Sequence, residues 1–421
     1  MSYTATGPEG RDVGDARRQN ALSLIFLMLT ITAFTLRFFI SPEMMNIFVH
    51  YTSDGGSFFE KLHVGTYLIY LLVPVVLFSR PFYLEGDDIR RFKDLLRFTL
   101  LISLLIVFLI GTGRANAAGL FMDSYVVAGA CGLIVLAMNR DMRQMVGDSV
   151  LIMNLVSASL GIFEFIVRQR LVYYHFEEEF FRPTALADHP LTFGMTCGAS
   201  IAFIAMTRWK LWLKLAAMFL LIIATTASGA RFALLLTLVE VFALVLFVPW
   251  TSFTRRNERR AKLAVFLMIA AGGALLFAVL GAAGALNRFN DGIVDENFYA
   301  RTDIYGIFAL VSWQEIMFGG DLLEILEIIN TKIGLPYIES SPVYLTFLIG
   351  APLAAAVFVL LFWLFLRLLK NVALPAWIGI GVFFGAALSN NMLSTKTPVI
   401  AMFVVLILAY AHNKPQPRAA D

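Results

Sequence analysis

Long apolar blocks constrain the fold of this chain more than any other feature of its sequence. The blocks are about twenty residues long, the length at which a helix crosses the hydrocarbon core of a bilayer. Because lipid offers no hydrogen bonds to a backbone, such blocks must satisfy their own N–H and C=O groups as helices. Of the 421 residues, 15% are charged, compared with about a quarter in soluble domains. The pattern predicts an all-α integral membrane protein, a single transmembrane domain over residues 1–421.

Twelve blocks are predicted to cross the membrane. In chain order they are Ala21–Ile40, Leu62–Ser79, Leu95–Gly111, Gly119–Met138, Ser149–Val167, Pro190–Thr207, Leu211–Thr226, Arg231–Trp250, Lys262–Leu286, Val343–Leu369, Ala376–Asn390 and Pro398–His412. Lys and Arg residues concentrate in every second connecting loop, which marks these loops as cytoplasmic. The count and the charge pattern together place both termini in the cytoplasm. The opposite side then carries a smaller loop, residues 168–189, and a larger one, residues 287–342.

The larger loop is predicted to contain two short helices. Apolar side chains recur at helical spacing in the first, up to a stop at Gly319 and Gly320. That predicted face comprises Tyr305, Phe308, Val311 and Ile316. Asp321 is a candidate N-cap for the second, with Leu322, Ile325 and Ile329 on one face. Both helices can lie at the membrane interface or pack on the helical bundle.

Two arginines on the non-cytoplasmic side are the main candidates for chemistry. Arg231 opens a predicted span, where a cation opposes the helix macrodipole, so local stability does not explain it. Arg301 precedes the first loop helix. Two planar guanidinium groups suit a pyrophosphate, whose oxygens accept paired hydrogen bonds. The alternatives are an Arg231 that reaches toward lipid headgroups and an Arg301 that is solvated or paired with Asp303.

Other polar residues support different readings. Glu164 and Arg168 lie four residues apart and are interpreted as a mainly structural pair. Glu240 lies about 13 Å into its helix at 1.5 Å per residue. A carboxylate at that depth must be protonated, paired or next to a polar cavity, and it favours an ion-coupled transporter. Charge inside the other spans is sparse, which argues against transport.

Several classes of ligand are not predicted. A net charge of +3 is too small for a nucleic-acid footprint. The five histidines show no metal-ligand spacing, and no phosphate-binding glycine loop occurs. Cys131 and Cys197 lie in apolar blocks and are expected to be free thiols. The sequence therefore predicts no metal and no cofactor.

Four short segments, in this order along the chain, resemble the O-antigen ligase and polymerase superfamily, which includes Wzy-type polysaccharide polymerases. The segments are Arg182 through His189-Pro190 before a span, Ser228-Gly229-Ala230-Arg231 at the eighth span, Arg301 near the start of the large loop, and Glu339-Ser340-Ser341-Pro342-Val343-Tyr344-Leu345 at its end, before Gly350. The layout covers most of the chain. Ligases typically carry a histidine where this chain has Glu339, which favours a polymerase.

The resemblance implies a GT-C-like fold in the bacterial inner membrane and a metal-independent, inverting glycosyltransferase acting on the periplasmic side. The substrate would be an oligosaccharide linked to undecaprenyl pyrophosphate. Arg231 and Arg301 would bind the diphosphate and Glu339 would be the general base. Arg182, His189, Asp303 and Tyr344 are further candidates for substrate binding. Partners would be membrane lipid, a polysaccharide co-polymerase and a flippase.

The first interpretation is therefore a polymerase of exopolysaccharide or O-antigen. An O-antigen ligase that uses lipid A–core as acceptor is the alternative within the same enzyme class. A flippase for lipid-linked oligosaccharides, or an ion-coupled transporter, is the alternative from another class.

Overall fold

The computed structural model describes residues 8–52, 57–79, 82–172, 181–249, 254–282 and 302–412, and this part of the chain is helical, without strands. In the first half the α-helices are α1 Pro8–Phe39, α2 Pro42–Asn46, α3 Val64–Phe78, α4 Asp87–Gly111, α5 Ala115–Leu120, α6 Val127–Leu136 and α7 Arg140–Val167. In the second half they are α8 Pro190–Met206, α9 Leu211–Ala227, α10 Arg231–Phe247, α11 Arg255–Ala282, α12 Trp313–Phe318, α13 Leu322–Ile328, α14 Ser341–Ile349, α15 Ala351–Leu369, α16 Leu374–Leu388 and α17 Val399–Tyr410.

Five helical segments are long and apolar enough to cross a membrane. They are Asn20–Phe39, Asp87–Gly111, Ala117–Leu136, Arg140–Val167 and Ala351–Leu369. Shorter apolar helices accompany them, among them α3, α8, α9, α16 and α17. The described part of the chain is thus all-helical and of membrane type, as the composition predicts. Twelve spans stay a prediction.

The predicted span Val343–Leu369 is wrong as a single helix. Gly350 ends α14 and α15 begins directly after it, with Gly350 at φ +91°. A side chain at Gly350 would collide with the carbonyl oxygen of Met317, the residue before the last of α12. The backbone break therefore makes room for a loop helix that packs against it, a contact that hydrophobicity along the chain does not reveal.

The first predicted loop helix is also wrong as a single helix, because two separate helical segments occur there. A 3₁₀ turn covers Ile304–Ala309, and α12 starts afresh where Ser312 and Glu315 form a capping box. Gly319, at φ +83°, ends α12, and Asp321 caps α13 by accepting a bond from Leu323 N at 2.9 Å. The stop and the second cap were therefore predicted correctly.

The loop helices pack on the bundle largely through the predicted face. Ile325 and Ile329 are buried as predicted, and Phe308, Val311, Ile316 and Leu322 pack against the same core, whereas Tyr305 is exposed. Their own small core comprises Ile304, Ile307, Ile325, Ile329, Ile338, Val343 and Phe347. Phe347 belongs to α14, so this core fastens the described part of the loop to the bundle. Trp313 and Leu323 on the outer side are 70% and 77% exposed, a surface suited to the membrane interface.

Helix α8 sets the geometry around the candidate site. Residues of α8 contact residues of α10 in the same order along both helices, so the two helices run parallel. These pairs are Gly194 with Ala230, Gly198 with Thr237, and Ala202 with Glu240. A Cβ at Gly198 would overlap the Thr237 hydroxyl. The glycines therefore allow the two backbones to approach closely, as small residues do between membrane helices.

Helix α16 runs antiparallel to both. Gly379, near its start, faces Ala199 and Ala202 of α8, and Gly385, near its end, faces Leu236 of α10. The carboxyl end of α16 consequently lies beside the amino end of α10. This arrangement brings the turn that follows α16 to the end of the bundle where Arg231 lies.

Charge inside the bundle is more abundant than predicted. Arg37, Asp123, Glu164 and Glu240 are all fully buried. At the other end of the bundle, Asp88 also forms a buried ionic network. The partners of these buried residues include backbone groups of distant segments, such as Asp123 O for Arg37, Thr184 N for Glu164 and Ala202 N for Glu240. Single-residue hydropathy does not detect such partners.

Candidate functional site

The Arg182–His189 segment is held by a buried carboxylate. Glu164, near the end of α7, accepts hydrogen bonds from the backbone N–H groups of Leu171, Thr184 and Ala185 at 2.8, 3.0 and 2.8 Å. Ala185 has φ +49°, a conformation rarely adopted by a residue with a side chain. Hydrogen bonds to a charged acceptor are strong enough to hold such a turn. Glu164 therefore has a structural role through the loop backbone, whereas its predicted pairing with Arg168 stays a prediction.

Arg182 links two of the predicted motifs. Its Nε donates to the carbonyl oxygen of Ser228 at 3.0 Å, and the side chain is buried. Gly229 follows with φ +65°, and a Cβ there would lie 3.3 Å from Arg182 Nε. The His-Pro segment and the Ser-Gly-Ala-Arg turn thus meet, although they are 46 residues apart.

The same turn determines where Arg231 begins its helix. The Ser228 hydroxyl donates to Thr225 O at 2.7 Å and accepts from Ala230 N at 3.2 Å. A Cβ at Gly194 would overlap that hydroxyl. Arg231 is the first residue of α10 and is half-buried. The Arg231 side chain therefore follows a turn whose position is fixed by contacts with α8, α9 and Arg182.

His189 is the N-cap of α8. Its Nδ1 accepts a hydrogen bond from Leu191 N at 3.1 Å, and Pro190 follows at the first helical position. Both features are favourable at a helix start. The His-Pro pair predicted from the sequence thus has a clear local role at the start of α8.

Glu339 lies at the junction between the large loop and α14. The N–H and the hydroxyl of Ser341 both donate to Asn390 O, at 3.0 and 2.8 Å. Tyr305 and Ser340 hydroxyl oxygens are 3.3 Å apart. Since Asn390 follows α16, whose end lies beside the start of α10, Glu339 is at the same end of the bundle as Arg231.

The remaining predicted residues have simpler placements. Asp303 is the N-cap of the Ile304–Ala309 turn, and Tyr344 packs partly buried against the isoleucine core of the loop. Arg301 lies outside the described residues. Of the two predicted diphosphate-binding arginines, the structure therefore places only Arg231. The buried Arg182 contacts the turn that precedes Arg231.

A second charged cluster at this end of the bundle was missed by the sequence analysis. Asp123 lies in a π-helical turn, Phe121–Val126, and accepts from Tyr51 Oη at 2.9 Å and His63 N at 3.2 Å. Arg37 Nη2 donates to the backbone carbonyl oxygen of Asp123 at 2.7 Å. His63 Nδ1 accepts a hydrogen bond from Gly65 N at 3.0 Å at the amino end of α3. An isolated Asp within an apolar block was the available signal.

Lys396 completes that cluster from the loop before α17. Its Nζ donates to Tyr51 O at 3.0 Å and Lys61 O at 2.8 Å, and lies 4.5 Å from the Tyr51 ring centroid. Burial lowers the Lys396 pKa to about 8. These bonds fasten the loops between α1 and α3 to the last helix. The arrangement explains the cluster as an anchor of the bundle end.

No protein-family model, curated protein or solved structure matches the chain. The fold and the site define the class: an all-helical membrane-type protein with a buried arginine-supported turn at one end of its bundle.

Proposed function

We propose that the chain is a Wzy-type polymerase of exopolysaccharide or O-antigen. The hydrogen bond from Arg182 to Ser228 O carries the proposal. It joins two segments that resemble the superfamily and supports the turn from which Arg231 projects. A lipid-linked diphosphate lies at the membrane surface, where a helix start of this kind is also expected.

In the proposed reaction, the glycan leaves undecaprenyl pyrophosphate for the sugar hydroxyl of another lipid-linked repeat unit. The acceptor oxygen forms a bond to the anomeric carbon while the bond from that carbon to the diphosphate breaks, with inversion. Glu339 takes the hydroxyl proton as general base. Arg231 and Arg301 neutralise the charge that develops on the departing diphosphate. Arg182, His189, Asp303 and Tyr344 are proposed to contribute to substrate binding.

The proposal includes a topology of twelve spans in a GT-C-like arrangement. The protein would lie in the bacterial inner membrane, with both termini cytoplasmic and the site periplasmic. A helix lies over each predicted block, broken at Gly350 and followed as far as residue 282 in the ninth, which supports this topology. A co-polymerase and a flippase are the expected partners.

The decisive assay uses purified protein and a synthetic polyprenyl-diphosphate repeat unit, without an ion gradient. We expect wild-type protein to elongate the glycan. Arg231→Lys keeps the charge but loses the planar fork, and should lower the rate about 100-fold, the scale for losing one charge-stabilising donor. Arg208→Lys is the matched control, since Arg208 is 67% exposed in the connection between α8 and α9, and it should retain full activity.

Equal rates for wild type and Arg231→Lys would contradict diphosphate binding by Arg231. Glu339→Gln in the same assay tests the base, and full polymer yield would remove Glu339 from the mechanism. Growth of lipid-linked polymer in a deletion strain would favour the ligase instead, because a ligase mutant still makes chains on the lipid carrier.

Glu240 is the observation that favours a transporter. It is fully buried, accepts from Ala202 N at 2.8 Å, and its Oε2 has no hydrogen-bond partner among the described residues. Elongation without a gradient would exclude transport as the main activity. Absence of elongation together with gradient-driven movement of a lipid-linked sugar would establish it.

A further inference from the structure

A small cavity, lined mainly by apolar groups with several polar side chains among them, lies on the side of α8 opposite to α10. Thr192 and Thr196 face it, whereas Gly194 and Gly198 face α10. The end of α1, α7 and the start of α17 form its other walls, and its volume is about 30 Å³. That space holds about two water-sized spheres. Its polar side chains are Ser41, Asn154, Ser157, Asp188, Thr192 and Thr196.

Asp188 is the one carboxylate among the residues that line this cavity. Its Oδ1 is buried and has no hydrogen-bond partner among the described residues. Thr192 hydrogen-bonds the carboxylate, while the negative charge of Glu43 on α2 opposes its ionisation. Burial raises the pKa of Asp188 to about 6, so the group is mostly ionised at pH 7. A buried charge is costly unless it is both hydrogen-bonded and paired with an opposite charge.

We propose that this cavity binds one monovalent cation of the size of sodium, with Asp188 as its charged ligand. A hard cation prefers oxygen ligands, and one carboxylate matches one positive charge. Asn154 Nδ2 donates to Thr196 O at 3.5 Å, which leaves the amide oxygen as a neutral ligand. Ser157 offers a hydroxyl oxygen. The small volume requires the ion to shed most of its water.

The bound cation would connect the end of α1, α7 and α8 with the segment that carries Arg182. Asp188 lies six residues after Arg182 in that segment. Sodium would therefore stabilise the bundle end whatever reaction the protein performs. The inference does not depend on the polymerase proposal.

Protons compete for the same carboxylate. The groups that act on Asp188 are Glu43 from α2, Tyr51 from the following loop, and Thr192 and the His189 backbone from its own side. Helices α7 and α17 present neutral residues to the cavity. Since protonation removes the charged ligand, sodium should stabilise the protein more at pH 7 than at pH 5.

The test is thermal unfolding of the purified full chain in sodium chloride and in choline chloride of equal ionic strength. We expect a saturable rise in Tm of about 2–4 °C with sodium, by mass action on the folded state. Asp188→Asn should remove the rise. Asp141→Asn should keep it, because Asp141 is 83% exposed in the first turn of α7.

If Asp188→Asn does not fold, Ser157→Ala serves as the second variant and should require about tenfold more sodium for the same rise, the effect of losing one supporting ligand interaction. Equal Tm values in the two salts would overturn the proposal, since the cavity would then hold water only. A response to pH without a response to sodium would identify a proton site and also overturn it. An unchanged sodium response in Asp188→Asn would place the ion elsewhere.

Discussion

At the residue scale, the most informative side chain is Glu164. It makes three hydrogen bonds to backbone N–H groups, and each N–H belongs to a segment that has no regular structure of its own. Through Thr184 and Ala185 it orients the neighbouring Arg182, and through Arg182 the Ser228 turn. A single carboxylate thus controls a turn that it does not touch.

We predict that Glu164→Gln lowers the free energy of unfolding by about 2–3 kcal/mol, because the amide loses the charge and directs an NH₂ group at an N–H donor. Purified variants compared by thermal unfolding, with limited proteolysis of residues 168–189, measure the effect. Glu324→Gln is the control, since Glu324 is exposed on α13. Unchanged stability and cleavage in Glu164→Gln would show that the segment is held by other contacts.

At the scale of elements, the contact between α8 and α10 depends on two glycines. Neither position needs an unusual backbone conformation. Both need the absence of a side chain, because Ser228 and Thr237 occupy the space that a Cβ would take. Helix propensity alone disfavours glycine here, so close approach is the physical reason for its presence.

We predict that Gly194→Ala pushes the Ser228 turn away from α8, with lower Tm and lower elongation activity. The matched control is Gly381→Ala in α16, where nothing lies within 4 Å of a new Cβ. That change should be neutral or stabilise by about 0.5–1 kcal/mol through helix propensity. Equal Tm values for the two alanine variants would refute the packing argument.

At the scale of the whole molecule, one aspartate joins helices from both halves of the chain. Asp88 in α4 contacts Arg91 at 3.0 Å, Arg143 of α7 at 2.6 Å and His412 after α17 at 3.0 Å. Arg143 also donates to Leu136 O at 2.7 Å. This network closes the end of the bundle opposite to Arg231.

Asp88→Asn should destabilise the protein by about 3 kcal/mol, because it leaves two buried guanidinium groups without their counter-charge. Thermal and denaturant unfolding in detergent measure the loss. Asp141→Asn, whose ion pair with Arg208 is exposed, should change stability by less than about 1 kcal/mol. If Asp88→Asn and Asp141→Asn unfolded at the same midpoint, the network would not contribute to stability.

The sequence predicted the helical class and, within two residues, the starts of α3, α8, α9, α10, α16 and α17, whereas α1, α4, α7 and α11 begin before the predicted spans. Helix length in lipid and hydrophobicity are local properties, and caps such as Asp321 and stops such as Gly319 act within one turn. The break at Gly350 was missed although Gly350 and the following Pro352 are local signals for a helix end. The close approach of Met317, which leaves no room for a side chain at Gly350, comes from another element. Of the buried face of the large loop, Ile325 and Ile329 were predicted, whereas Ile304 and Ile307 were missed because their packing partners select them.

The candidate site was likewise predictable where it depends on local motifs and not where it depends on contacts between distant segments. Arg231, Arg182 and Glu339 were recognisable from short motifs and from their positions at span ends. Their relation to one another was not, because the bond from Arg182 to Ser228 crosses 46 residues. The cavity around Asp188 was not predictable either, as its walls come from four helices.

By itself, the sequence determined that this protein is helical, that its helices suit a membrane, and which residues stand at their ends. These properties follow from the length, hydrophobicity and termini of individual segments, each of which is settled within a few turns of chain. Only the tertiary structure decided which buried charges compensate one another, where glycine lets helices approach, and that Asp188 faces a cavity. Such features depend on contacts between distant segments, whose distances no local pattern specifies.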